Sequence, residues 1–268
     1  MAAVQHVDRM RQRRGSRHIE VMLGGDGGVL IVAALVMVLS AAMGTVAGFG
    51  VALLLSPVLA VLYDPITAVL TVTSFGVLNA VIALFGDALM DPRPRPYGRE
   101  LWLMWSGAAV ITVPATLALA ALPQRLVTAM LSVFVLTSVV AIQRGARFRR
   151  TGPGVATLGT GALSQAANVL SGVGGPPIIL YALASDWEPY RTRTTQQVYF
   201  VPVNIVTTVT VMAATDARPV AALVFIGAVA SAAVLPLRAR VTSATVHRLM
   251  LALSFAAGGL AGVRAILG

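Results

Sequence analysis

Residues 171–177 read Ser171-Gly172-Val173-Gly174-Gly175-Pro176-Pro177, inside an apolar run from about Val155 to Ala184. Three glycines and two consecutive prolines cannot continue a regular helix. Proline lacks the backbone donor and clashes with the preceding turn, and glycine lowers helical stability. An apolar run of this length belongs in a bilayer. There, freed backbone groups are tolerated only where protein or a water-filled cavity satisfies them. Helices broken at membrane depth are a common way to build a solute site. The stretch therefore predicts a break with a binding role.

Composition supports the membrane setting. The chain has 268 residues, 57% of them hydrophobic and 11% charged, whereas a soluble domain carries about 25% charged residues. Cysteine is absent, which excludes disulfides, thiol catalysis and thiolate metal sites. All 20 basic residues are arginine, so Schiff-base chemistry and a lysine-dependent phosphate loop are excluded as well. The net charge of +10 does not form a basic stripe with interleaved aromatics, so nucleic acid is not an expected partner. Scattered loop arginines set topology and touch anionic lipid heads.

A membrane-crossing helix needs about 20 residues. By that ruler the chain is an all-α integral membrane protein with about eight transmembrane segments, near 28–62, 65–86, 101–122, 126–142, 154–184, 195–214, 219–237 and 246–267. The first and fifth are too long for one straight span and contain glycine clusters, so breaks are expected near 44–57 and 168–177. Residues 1–26 read as a basic cytoplasmic tail, 27–142 as a first transmembrane repeat, 143–153 as a basic linker and 154–268 as a second repeat. With both termini inside, most of the arginines fall on the cytoplasmic side; Arg125, Arg191, Arg193, Arg238, Arg240 and Arg248 fall opposite. The positive-inside rule favours that arrangement, in the inner (plasma) membrane of a bacterial cell.

The two halves align without a gap. Leu39-Ser40 pairs with Leu163-Ser164, Gly48 with Gly172, Gly50 with Gly174, and Pro65 with Pro189. Tyr63-Asp64 meets Trp187-Glu188, aromatic then acid in both. Two four-span repeats follow. An even number of crossings per half implies parallel repeats, and a re-entrant break would make them inverted.

A break leaves backbone N–H groups at the start of the following half-helix, where the helix dipole adds positive charge, and the two breaks together suit an anion. Gly48, Gly50, Ser171, Gly172, Gly174, Gly175, Pro176 and Pro177 are therefore candidate substrate-binding residues. The plainer reading of the first-half glycines is close helix packing. Asn79 and Asn204 fall at nearly equivalent places in the two halves; they either donate to the bound anion or join helices by hydrogen bonds. Asn168, Ser164 and Gln165 approach the second break, and Gln196 and Gln197 rank below them. Asp64 and Glu188 each precede a proline, where an acid either carries a coupling proton or favours a helix N-terminus. No histidine lies inside a span, and no clustered ligands suggest a metal. Gly258 and Gly262 read as helix packing or a homodimer contact.

The stretch from Ser171 to Tyr181, followed by Pro189 and Arg191, resembles the sulfite exporter TauE/SafE family of bacterial membrane permeases. So do Gly48-Phe49-Gly50, Pro57-Val58-Leu59 and the eight spans in two halves. The resemblance covers about 28–267, everything but the tail. Where members commonly continue the first Gly-x-Gly with glycines, this chain has Val51-Ala52. The resemblance implies transport of sulfite, organosulfonates or related small sulfur or carboxylate anions. It also singles out Arg191, whose guanidinium suits an oxyanion. The alternative for Arg191 is an interfacial arginine holding a helix end.

The reading is thus a secondary transporter that is not an enzyme. No cofactor is expected, and proton gradient or membrane potential supplies the energy, since no nucleotide-binding motif occurs. A membrane scaffold or assembly subunit is the alternative, followed by an intramembrane hydrolase, for which Ser171 shows no partner base.

Overall fold

The computed structural model describes residues 26–47, 50–89, 95–144, 153–236 and 243–267. Among these residues every regular element is a helix. In chain order they are α1 (Asp26–Ala47), α2 (Val51–Leu62), α3 (Pro65–Ala88), α4 (Gly98–Ala121) and α5 (Gln124–Gln143), then α6 (Pro153–Ser171), α7 (Gly175–Ala184), α8 (Pro189–Ala214), α9 (Ala221–Val234) and α10 (Ser243–Leu267). Six of them, α1, α3, α4, α5, α8 and α10, are long and apolar enough to cross a membrane.

Both overlong segments are broken. The first divides into α1 and α2, the second into α6 and α7. At 12 and 10 residues, α2 and α7 span about 18 and 15 Å, well short of the ~30 Å hydrocarbon core. The other helices follow the expected segments except α8, which begins at Pro189 rather than near 195. Its first two turns are polar, so hydropathy does not register them. Thr194, Thr195, Gln196 and Gln197 are nevertheless buried against protein.

Helix starts follow local chemistry. Asp64 caps α3 by accepting from the backbone N–H groups of Ile66 and Thr67, both at 2.9 Å. Pro65 supplies the preset φ of a first helical residue. Glu188-Pro189 opens α8 in the same order, although there the side chain makes no capping bond.

The polarity of the molecule is reversed relative to a soluble protein. Phe85, Trp102, Val110, Leu117 and Phe225 face outward, while Gln165, Asn168, Gln196 and Asn204 are buried. That distribution suits a lipid surround, in which apolar surface costs nothing and polar groups must find partners inside. The main apolar core joins Met37, Leu55, Leu59, Phe75, Leu131 and Leu223 from α1, α2, α3, α5 and α9. A second cluster gathers Met104, Ile178, Tyr181 and Tyr199 from α4, α7 and α8.

In the packing, α3 lies on α8 and α5 on α10, while α4 runs along α6 and α9 along α1. The α4–α6 approach depends on small residues. A Cβ on Gly107 would collide with the Leu158 carbonyl, and one on Gly161 with the Met104 backbone. Without a hydrophobic drive between helices in lipid, such backbone-to-backbone contact supplies the attraction.

Candidate functional site

The two breaks form different local structures from the same constraint. Gly50 precedes α2 in the left-handed region, φ 89°, a conformation open to glycine at little cost. Gly172 takes φ 72° just past α6. Its N–H still bonds to the Asn168 carbonyl at 2.8 Å, closing the last turn. The Ser171 hydroxyl donates to the Ala167 carbonyl at 2.6 Å and accepts from the N–H of Val173 at 3.3 Å. The Ser164 hydroxyl reaches forward to the carbonyl of Gly174 at 2.7 Å. Freed carbonyls and amides of the break are thus taken up by serines on α6.

Pro176 and Pro177 occupy the first turn of α7. There a missing N–H costs nothing, because first-turn donors have no helical acceptor. The prolines therefore begin α7 as much as they end α6. They also leave Gly175 as the N–H bearer among the first three residues of α7. Both side chains are buried and neither lines the space described next.

The two breaks meet. The Ser56 hydroxyl of α2 donates to the carbonyl of Ser171, and Gly172 packs against Ser56 and Val72. Between the breaks lies a cavity of about 90 Å³ bounded by the backbones of Gly44, Gly50, Gly172, Gly174 and Gly175. A single water needs about 10–15 Å³ of such space, so there is room for several waters or one compact oxyanion. Val51, Ala52, Val72 and Phe200 complete its apolar wall. The polar wall consists of five carboxamides: Asn79, Asn168, Gln196, Gln197 and Asn204. Among the described residues the lining contains no charged side chain.

The carboxamides are oriented. Asn168 Nδ2 donates to Asn204 Oδ1 at 3.0 Å and to Thr207 Oγ1 at 3.2 Å. The Ser231 hydroxyl donates to Asn79 Oδ1 at 3.0 Å. With both oxygens engaged, Asn79 and Asn204 have their NH2 groups left to offer. Room for that of Asn204 comes from Gly76, where a Cβ would stand 2.5 Å from Asn204 Nδ2. Two glycine-bounded breaks and two asparagines with donor ends in hand make a cavity suited to an acceptor-rich solute.

The surroundings of the cavity differ between its two sides. Next to Asn168, Gln165 Nε2 donates to Thr112 Oγ1 at 2.9 Å and Thr207 Oγ1 at 3.1 Å, a buried amide and hydroxyl network. Next to Asn79 and Ser231, Gly227 of α9 fits against Met37 and the Phe75 ring, an apolar seal.

Of the residues expected from sequence, Gly50, Asn79, Gly172, Gly174, Gly175 and Asn204 come together on this cavity. Ser171, Pro176 and Pro177 shape the second break without lining it. Gly48 lies outside the described residues. Arg191 stands apart: its guanidinium covers the Tyr97 ring at 3.8 Å and its Nε donates to the Arg95 carbonyl at 3.0 Å. Tyr97 in turn stacks on Trp187 at 4.2 Å. Gly44, Gly76 and Phe200 were not singled out as lining residues, because nothing local distinguishes them from packing residues. Among the described residues no cluster of metal-ligating side chains occurs.

The sequence model of the family described as Sulfite exporter TauE/SafE matches residues 32–261. The chain belongs to the sulfite exporter TauE/SafE family. No curated protein and no solved structure matches the chain. Membership makes the chain a membrane protein of a transporter family, and the match includes both breaks, all five carboxamides and the network behind them. Within this TauE/SafE chain, α6 is rich in buried polar residues. It carries Thr157, Ser164, Gln165, Asn168 and Ser171, all buried, and it is absent from the helices apolar enough to cross a membrane on their own.

Proposed function

We propose that the chain is a secondary transporter of small anions such as sulfite, organosulfonates or related sulfur and carboxylate anions. The anion binds between the broken-helix ends, and two repeats rock about it to alternate access. The observation that carries this reading is the donor-facing pair Asn79 and Asn204 on a compact cavity between two breaks. The proposed site comprises Gly50, Asn79, Gly172, Gly174, Gly175 and Asn204, together with Gly48, two residues before Gly50 in the sequence. Ser171, Pro176 and Pro177 shape the break, and Arg191 braces the segment before α4.

The repeat architecture is part of the proposal. Counting α1–α2 and α6–α7 as one broken unit each gives four units per half and eight in all, with residues 143–153 between the halves. Packing supports it: α3 pairs with its counterpart α8, α5 with its counterpart α10, and the α4–α6 contact has its mate in α9–α1. A two-fold relation between halves produces this pattern of self-paired and exchanged contacts. A bacterial inner-membrane location with both termini cytoplasmic rests on the arginine distribution. Membrane potential supplies about 2.3 kcal/mol per elementary charge per 100 mV, which drives a monovalent anion out of a cell that is negative inside. A proton gradient is the other source.

The test is sulfite and small-sulfonate flux into liposomes carrying the purified protein, with and without a proton gradient. Saturable flux is expected. Its absence for every small anion, from folded protein, sinks the anion-carrier reading.

A further inference from the structure

Among the described residues the cavity lining carries no cation, but a largely buried ion pair joins helices α3 and α8, which both contribute to that lining. Asp87, in the last turn of α3, is 4% exposed. Its Oδ1 is 3.8 Å from Nε of Arg193 in the second turn of α8, whose side chain is 16% exposed. Thr194 Oγ1 donates to Asp87 Oδ2 at 3.0 Å, and Arg193 Nη2 donates to the Thr45 carbonyl at 3.2 Å.

These contacts bring the guanidinium to two segments that continue into the cavity lining. Thr45 follows Gly44, which lines the cavity, and Arg193 precedes the lining residues Gln196 and Gln197 by one turn of α8. The Thr45 hydroxyl is 3% exposed and has no hydrogen-bond partner among the described residues. A buried, unused hydroxyl beside a guanidinium is a place for a further acceptor. Ionisable residues that lie within a membrane-spanning helix, face the protein interior and pair with one another are functional-site candidates by default.

We propose that Arg193 is the cationic ligand of the transported anion, and that Asp87 is its built-in competitor. This rests on the anion-carrier reading of the cavity above. In the present arrangement the Asp87 carboxylate is the counter-ion of Arg193, at 3.8 Å. An incoming oxyanion takes over the guanidinium, with the Thr45 hydroxyl as a neighbouring donor. The Asp87 carboxylate keeps its bond from Thr194. Exchanging one carboxylate for one oxyanion avoids leaving a buried cation unpaired at any stage. It also keeps affinity moderate enough for release.

The experiment measures saturable sulfite flux in liposomes for wild type, Asp87→Asn, Thr194→Val, Arg193→Gln and Arg193→Lys, with the melting temperature of each in detergent. Asp87→Asn removes the competitor and is expected to lower the half-saturating concentration roughly ten-fold, the scale of one charge-assisted hydrogen bond. Thr194→Val loosens Asp87 without removing it, and lowers the same concentration by roughly two-fold. Arg193→Gln raises it by roughly ten-fold or more, and Arg193→Lys recovers part of the loss. Variants that shift melting temperature or maximal rate with half-saturation unchanged make the pair a structural clip on α1 and overturn the proposal. If Asp87→Asn does not fold, Thr194→Val decides by the same criterion. Wild type without saturable flux overturns the anion-carrier reading and this proposal together; saturable flux indifferent to these substitutions overturns this one alone.

Discussion

Ser56 of α2 donates its hydroxyl to the main-chain carbonyl of Ser171, the last residue of α6. One bond thus ties the half-helix after the first break to the helix end before the second. Both residues are buried, at 0% and 2% exposure, so the carbonyl has no water to turn to. Ser56→Ala is expected to cost about 1–3 kcal/mol, the penalty of an unsatisfied buried acceptor. Thermal melting in detergent checks it, and an unchanged midpoint would show that the breaks are held together by packing alone.

Gly172 sits at φ 72° against Ser56 and Val72, which a Cβ would meet at 3.2 and 3.4 Å. Gly172→Ala therefore combines left-handed strain of about 1–2 kcal/mol with crowding at the cavity wall. Lowered stability and strongly reduced flux are expected. Wild-type flux in this variant would mean that the second break does not need its present shape.

Asn79 and Asn204 differ from aspartate by one atom, and that atom is the donor each has left. Asn204→Asp and Asn79→Asp keep the oxygens that accept from Asn168 and Ser231 and replace an NH2 by a carboxylate oxygen. Each is expected to raise the half-saturating anion concentration at least ten-fold at neutral pH, since a like charge in low dielectric repels strongly. Flux assays at graded sulfite concentration decide it. Unaltered half-saturation in either variant argues that its carboxamide only joins helices.

Arg191 spends its guanidinium on the Tyr97 ring and the Arg95 carbonyl. Arg191→Ala is expected to remove a cation–π contact worth about 0.5–1 kcal/mol at an exposed site, seen as a small drop in melting temperature. A marked rise in half-saturation would instead return Arg191 to the anion's path.

Gly161 and Gly107 let α4 and α6 touch backbone to backbone. Gly161→Leu leaves no room for either helix, and the obstacle is main chain rather than a movable side chain. A loss of folded protein by size-exclusion chromatography in detergent is expected. Recovery of a monodisperse, thermally stable variant would show that the two helices can separate without cost.

Helix punctuation was legible along the chain. Glycine and proline act through their own backbone torsions and missing donors, so the breaks before α2 and before α7 needed no partners to be foreseen. The acid–proline starts of α3 and α8 are local in the same way. Hydropathy misplaced the start of α8 because its first turns are polar, and burial of Thr194 to Gln197 depends on what packs against them. Arg191 and Arg193 illustrate the limit. Two residues apart on one helix, they point to a half-buried tyrosine and a buried aspartate respectively, a difference that arginine spacing does not encode.

The linear chain was enough to establish an apolar, glycine-punctuated membrane protein with two matched breaks, because helix propensity, chain length against bilayer thickness and backbone donors are properties of short stretches. The tertiary structure alone decided that Asn204 meets Asn168 across 36 residues, Asn79 meets Ser231 across 152, and Arg193 meets Asp87. Hydrogen-bond direction and ion pairing depend on which groups arrive at the same point in space, and it is these contacts that leave the NH2 groups of Asn79 and Asn204 as donors at the cavity.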